Sequence, residues 1–345
     1  MSLPVHYAPP RLTAEKGLTL AAARAALYRW LWARQQGVRF AVRGGQELWQ
    51  EELAWLGITL EDSPQANQKG EVNEPGWLAR LPEILPSEPT PWGTGRAETP
   101  VAALRTLGVL PETLMNFLAL LGWRPPEGTA ETLSSEQLLR LFNPEQIILT
   151  PLRFDPEKLR ALNRHWLQLA DLDRLLRLSL PDFHAAGYLP DELPEPVRLW
   201  LKDVIRAVLP GLDFLSLLPQ RTGFIFAYSA EHALAFPDSR AALERQGARA
   251  VIREFGRRVL ADNWPAKAGG LTATRLAAIL EEVKQATHYK GWTLLGPVRV
   301  ILTGLPYGPE LAELVPIFET GSQLNLPQHV KSCRERVLEF CSVFV

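Results

Sequence analysis

Seven prolines crowd one segment of this chain: Pro64, Pro75, Pro82, Pro86, Pro89, Pro91 and Pro100. A proline ring fixes φ and removes the amide hydrogen, so neither a long helix nor a central strand can run through the segment. The chain therefore divides into an opening part (residues 1–63), a proline-rich linker too short to be a domain (64–100) and a long remainder. At 345 residues there is room for two or three domains, because single cores rarely grow past a few hundred residues.

The opening part alternates between two periods. Residues 3–8 and "VRFAVR" (Val38 to Arg43) read as strands, ended at Gly44 and Gly45. Between them, Leu20, Ala23, Leu27 and Leu31 recur at helical spacing, and "ELWQEELAWLGI" resumes that period through Leu48, Leu53 and Leu56. This β-α-β-α order predicts the first piece of a parallel, Rossmann-like α/β sheet. Trp30, Trp49 and Trp55 are expected in its core, and Trp32, opposite Leu31, at its surface.

From about residue 101 the pattern is helical nearly to the end, with expected domains at 101–185 and 186–345. Pro111 opens "PETLMNFLALLGW", with Gly122 as its stop. Ser134 and Gln137 form a capping-box pattern, and Asp155 with Pro156 is a second start signal. Thr272 opens a further helix. The expected architecture is a small α/β unit followed by an all-α bundle.

Composition excludes more than it selects. With 46% hydrophobic and 22% charged residues the chain is ordinary globular material, and a net charge of −1 gives no overall electrostatic case for a polyanion. Cys333 and Cys341 have no disulfide-like spacing, and His329 and Cys333, four apart, have no further ligands beside them, so no metal is expected. There is neither a signal-peptide pattern nor a membrane-length apolar run, which leads us to expect a soluble cytoplasmic chain.

Three phrases are too particular for generic helix: "LPETLMNFLALLGW" (110–123), "PLRFDPEKLRALNRHWL" (151–167) and "GPVRVILTGLPYGPEL" (296–311). In this order they resemble the C-terminal half of the glutamyl-tRNA synthetase family, an all-α region that contacts the tRNA arm and cages the anticodon. "ARAALYRWLWAR" (Ala23 to Arg34), Tyr7-Ala8-Pro9 and "ELAWLGITLEDSP" (Glu52 to Pro64) are similar to parts of the same family's nucleotide-binding domain.

The catalytic positions depart from that pattern. The HIGH-type histidine aligns with Thr19 and its two glycines with Ala21 and Ala22, where a Cβ obstructs approach to a nucleotide. The arginine before the family's "F-A-P" looks like His6, and Gly44 and Gly45 replace the acidic run after Arg43. The lysine-rich KMSKR loop falls on "PWGTG" (Pro91 to Gly95), whose Gly93 and Thr94 carry no charge to place on phosphate; Arg96 is the nearest cation. The 26 residues between Pro64 and Pro91 hold neither the rest of the nucleotide fold nor the inserted acceptor-end domain, since one βαβ unit needs about 30. The resemblance thus implies a truncated paralogue that binds no ATP cofactor and has no catalytic residues.

The same resemblance makes tRNA the implied partner, through Arg153, Lys158, Arg160, Asn163 and Arg164, residue types suited to backbone and base contact. The arginine by which discriminating family members separate Glu from Gln tRNAs aligns with Gly211, before "LDFL"; Gly211 is also a plausible helix cap. Two other readings stand beside tRNA binding: an adaptor for a full-length synthetase or another tRNA-handling protein, and residual glutamate–tRNA ligase activity.

Overall fold

A computed structural model describes residues 4–7, 17–42, 47–59, 75–89, 95–261 and 270–344; at 4–7, 39, 41, 42, 47 and 48 only the backbone is described. The chain forms two compact units, one of residues 1–169 with 213–215, the other of 170–212 with 216–345.

The first unit runs β1 (Pro4–Tyr7), α1 (Leu20–Gln35), β2 (Arg39–Val42), α2 (Glu47–Trp55), β3 (Ile84–Leu85), α3 (Val101–Leu107), α4 (Pro111–Leu120), α5 (Ser135–Leu141), β4 (Leu152–Arg153) and α6 (Pro156–Leu169). β1 and β2 pair in parallel, Pro4 opposite Arg39 through Tyr7 opposite Val42. α1 is the crossover between them, which is the expected βαβ arrangement reduced to two strands. Leu20, Ala23, Leu27 and Leu31 are all fully buried, as their spacing predicts. Trp30 and Trp49 are buried, but Trp55 is only half-buried rather than in the core, and Trp32 is half-buried rather than at the surface.

The linker packs against its unit. Ile84 pairs with Leu152 and Leu85 with Arg153, also in parallel, and Ile84 is buried. Gly95 lies so close to Phe154 that a Cβ would stand 2.1 Å from its ring, so only glycine fits. The linker also supplies an acceptor for a buried cation. Arg24 on α1 donates to Pro82 O and, at 3.2 Å, to Leu121 O just past α4, while the Tyr28 hydroxyl donates to Ala119 O at 2.9 Å. Burial without a carboxylate partner pushes the Arg24 pKa down.

The second unit is all-α: α7 (Leu172–Ala185), α8 (Glu195–Val208), α9 (Leu218–Phe226), α10 (Ala230–Ala235), α11 (Pro237–Leu243), α12 (Ala248–Ala261), α13 (Ala273–Thr287), α14 (Trp292–Thr303), α15 (Leu311–Gly321) and α16 (Cys333–Phe344). Its helix starts follow the sequence signals, with Thr272 capping α13 by accepting from Arg275 N. The expected capping box of Ser134 and Gln137 is complete in α5 of the first unit. At the centre of the second unit Arg336 is fully buried. It donates to the carbonyls of Phe224, Ile225, Leu302 and Lys331 and lies 3.9 Å over the Phe318 ring. Phe224 and Ile225 are in the last turn of α9, and Leu302 in that of α14. The guanidinium thus satisfies carbonyls that helix ends leave over, and burial lowers its pKa to about 10.

Candidate nucleic-acid interface

Three places bear on function. The first is the start of α1. A helix start leaves N–H groups unpaired and is a ready anion site. Here the chain itself takes them: Leu20 N donates to Thr99 O at 2.9 Å, Ala21 N to Ala97 O at 3.1 Å and Ala22 N to the Thr19 hydroxyl at 3.3 Å. Leu18 N, one position before Thr19, donates to the Glu52 carboxylate at 2.6 Å. Glu52 is buried; burial raises its pKa, against the pull of the Leu18 and Ala102 amides. Thr19 is therefore the helix cap, Ala22 is buried, Ala21 is half-buried, and the amides at these positions are already occupied. Gly93 and Thr94, Arg43 to Gly45, and Ala8 and Pro9 lie outside the described residues, as does the His6 side chain.

The second place is α6 with the segment 213–215. Arg164 makes a 2.5 Å pair with Asp213, and Arg160 lies 3.6 Å from the same carboxylate and 3.2 Å from Glu157. Lys158 pairs with Glu131 at 3.1 Å, and the exposed Arg153 donates to Pro86 O at 2.8 Å. Asn163 is not on this surface. Its amide is fully buried, accepting from Leu110 N and the Thr113 hydroxyl and donating to the carbonyls of Gly108 and Asp213. It stitches α6 to the start of α4, so of the five expected contact residues Arg153, Lys158, Arg160 and Arg164 reach solvent and Asn163 does not. Asp213, in the "LDFL" stretch, is the residue that sequence reading missed; an acid beside three aligned apolar residues gave no signal of its partners.

The third place lies within the second unit, where Gly211 lines a cavity of about 830 Å³ together with Arg221, Phe224, Arg299, Tyr307 and Glu310, among others. Gly211 ends a short 3-10 turn (Leu209–Gly211) that follows α8, and a Cβ there would meet no atom within 4 Å. Its expected role as a glycine cap is not needed, because its φ is not positive. Arg299, on α14, is buried and donates from Nη2 to Pro309 O at 2.7 Å, close against Gly308. Burial pushes its pKa down, partly offset by Glu310. A guanidinium has five donors in a fixed fork, which leaves donors for a ligand in the cavity. Tyr307 is half exposed at the rim, a face on which a planar base can stack. Arg299 and Tyr307 lie inside the phrase 296–311, whose resemblance was legible although nothing in it singled out these two side chains.

His329 and Cys333 do not converge as ligands. His329 pairs with Glu335 at 3.0 Å, and the buried Cys333 thiol is held protonated by burial and by Glu319. No group of three or more His, Cys, Asp or Glu fit to hold a metal occurs among the described residues. None of the described helices is long and apolar enough to cross a membrane.

The chain thus holds a helical unit with an arginine-lined cavity, joined in sequence to a short parallel α/β unit. A family model described as "Anticodon binding domain" matches residues 174–321. The glutamate–tRNA ligase 1 of Caldicellulosiruptor saccharolyticus is 33% identical over 240 residues, 70% of this chain and 48% of that protein. The glutamate–tRNA ligase of Geobacillus stearothermophilus is 33% identical over 211 residues, 61% of this chain and 41% of that one. The chain spans about half the length of the curated relatives it matches. In fold it resembles a glutamate–tRNA ligase from Elizabethkingia meningosepticum, solved in complex with its amino acid, with a TM-score of 0.66, 14% identity and coverage of 100% of each chain. The chain is a relative of the glutamyl-tRNA synthetases, with a reduced α/β unit and a helical region that carries the likeness.

Proposed function

We propose that this protein binds tRNA through its helical region, reading the anticodon in the Gly211–Arg299 cavity, and forms no aminoacyl adenylate. The observation that carries the reading is that cavity: it lies in the unit that includes the anticodon-binding match, and its buried arginine has donors to spare beside an exposed tyrosine. Single-stranded loops are where RNA sequence is read, by stacking and by forks of this kind. Glu and Gln tRNAs are the preferred ligands. Without a side chain at Gly211, the bidentate contact that separates such tRNAs elsewhere in the family is missing, which favours acceptance of both.

The loss of ATP chemistry is supported by the start of α1, where Thr99, Ala97, Thr19 and Glu52 hold the amides that an anion would need. The protein would then work in the cytoplasm beside the translation apparatus, as a carrier or competitor for tRNA.

The test is a gel shift with Glu, Gln and unrelated tRNAs at two salt concentrations, with ATP–pyrophosphate exchange in the presence of glutamate run in parallel. We expect selective, salt-weakened shifts with the first two tRNAs and no exchange. Exchange above background would overturn the silent assignment. Absence of any shift at low salt would overturn tRNA binding and leave the adaptor reading.

A further inference from the structure

The chain carries a net charge of −1, yet residues 240–261 hold six arginines against two glutamates. Most of this excess lies on or beside α12. Arg249, Arg253 and Arg257 recur every fourth residue, which puts them on one face with about 6 Å of rise between neighbours. Arg249 and Arg253 are exposed, and neither has an ion-pair partner among the described residues. Arg249 lies 5.6 Å over the Phe344 ring. At the start of the helix, Tyr289 packs on Gly247, where a Cβ would stand 2.3 Å from its ring, and the exposed Lys290 follows in the chain.

Several carboxylates are present on α12, α13 and α16, and they are already engaged. Glu254 holds Arg257 and Arg258, Glu282 holds Arg258 and Arg275, Glu281 holds Lys284, and Glu339 holds Lys331. Among the described residues the face therefore presents Arg249 and Arg253 without an ion-pair partner, beside a neutralised network. Large apolar side chains are missing between them: the exposed residue between Arg249 and Arg253 is Ala250. The apolar side chain in contact with the pair is Phe344, half-buried under Arg249, and one half-buried ring makes neither the anchor of a protein interface nor an insertable membrane face. Planar forks at helical-turn spacing suit a row of phosphates.

We propose that the exposed face of α12, centred on Arg249 and Arg253, is an RNA-backbone contact surface that adds sequence-independent affinity to the cavity. The proposal rests on the tRNA-binding reading for its biological ligand, although the contact itself needs only RNA phosphates.

The test uses the full chain and two probes, a Glu tRNA transcript and a duplex RNA of unrelated sequence. Affinity is measured by fluorescence anisotropy over a salt series. The double variant Arg249→Gln with Arg253→Gln should weaken binding to both probes and flatten the slope of log K against log salt by about 2, one unit per lost contact. The matched pair Arg177→Gln with Arg198→Gln, on α7 and α8, should leave the slope nearer the wild-type value. Arg249→Lys with Arg253→Lys keeps the charge and should restore most of the slope, so that a folding defect is told apart from a lost contact. An unchanged slope in the glutamine double variant overturns the α12 surface. If the wild type still prefers the Glu tRNA in that case, the cavity reading stands alone. If the wild type binds both probes alike and the double variant loses both, the α12 surface stands and anticodon reading falls. No binding to either probe at low salt overturns both.

Discussion

At the scale of single residues, the polar side chains that matter most are those whose environment leaves them no alternative. Arg336 answers four carbonyls inside the second unit and stacks on Phe318. Arg336→Met fills similar volume but leaves those acceptors unpaired, and should lower stability by at least about 1–3 kcal/mol, the cost of leaving a buried acceptor unsatisfied. Urea titration of the second unit's helical signal reads this directly; a loss under about 1 kcal/mol would mean that water replaces the guanidinium. Gly211 is the opposite case. Its φ is not positive and a Cβ there meets nothing, so Gly211→Arg should leave stability within about 0.5 kcal/mol of wild type. The same change should restore discrimination between Glu and Gln tRNAs in the gel shift. Loss of stability instead would mean that the 3-10 turn after α8 does not accommodate a side chain.

At the scale of elements, α12 and α13 are joined by a chain of ion pairs, Arg257 and Arg258 on Glu254 and Arg258 with Arg275 on Glu282. The hydrogen bonds from Arg257 and then Arg258 hold the Glu254 carboxyl down to about 2, below its ordinary 4.5. A carboxyl whose folded pKa is depressed adds stability above the ordinary value, and that stability is lost as pH falls toward the folded value. The melting temperature of wild type should therefore exceed that of Glu254→Gln at pH 6, and the gap should close between about pH 4.5 and pH 2. A gap constant over that range would show that the pairs contribute nothing beyond packing. At the start of α1 the sign is reversed: burial raises the Glu52 pKa, and this side chain contributes as an acceptor for backbone amides. Glu52→Ala leaves the Leu18 and Ala102 amides without their acceptor, at a cost of about 1–3 kcal/mol, whereas Glu52→Gln retains an acceptor and should cost less. Equal losses in the two variants, compared by thermal melts, would show that the amides do not depend on this side chain.

At the scale of the whole molecule, each unit has a core of its own and a buried polar pin within it: Asn163 in the first, Arg336 in the second. Two cores of this kind predict two calorimetric transitions. Asn163→Leu should shift one and Arg336→Met the other. A common shift in both variants would mean that the chain unfolds as one cooperative body.

The sequence by itself determined the helical periods, the caps at Ser134 and Thr272, the parallel strand pair and the family likeness of the helical region. These depend on residues close in the chain, where periodicity and capping act. Tertiary structure alone decided which polar groups are buried and what they meet. The bond of Asn163 to Leu110 spans 53 residues, and that of Arg336 to Phe224 spans 112. From its neighbours, Asn163 reads as one more polar residue of a basic helix face, and Arg336 as one of several charges on a terminal helix. Likewise nothing in the sequence showed that Ala97, Thr99 and Glu52 take the amides at the start of α1. Burial of a polar group is tolerated only where distant backbone supplies its partners, and no local pattern records where distant backbone will be.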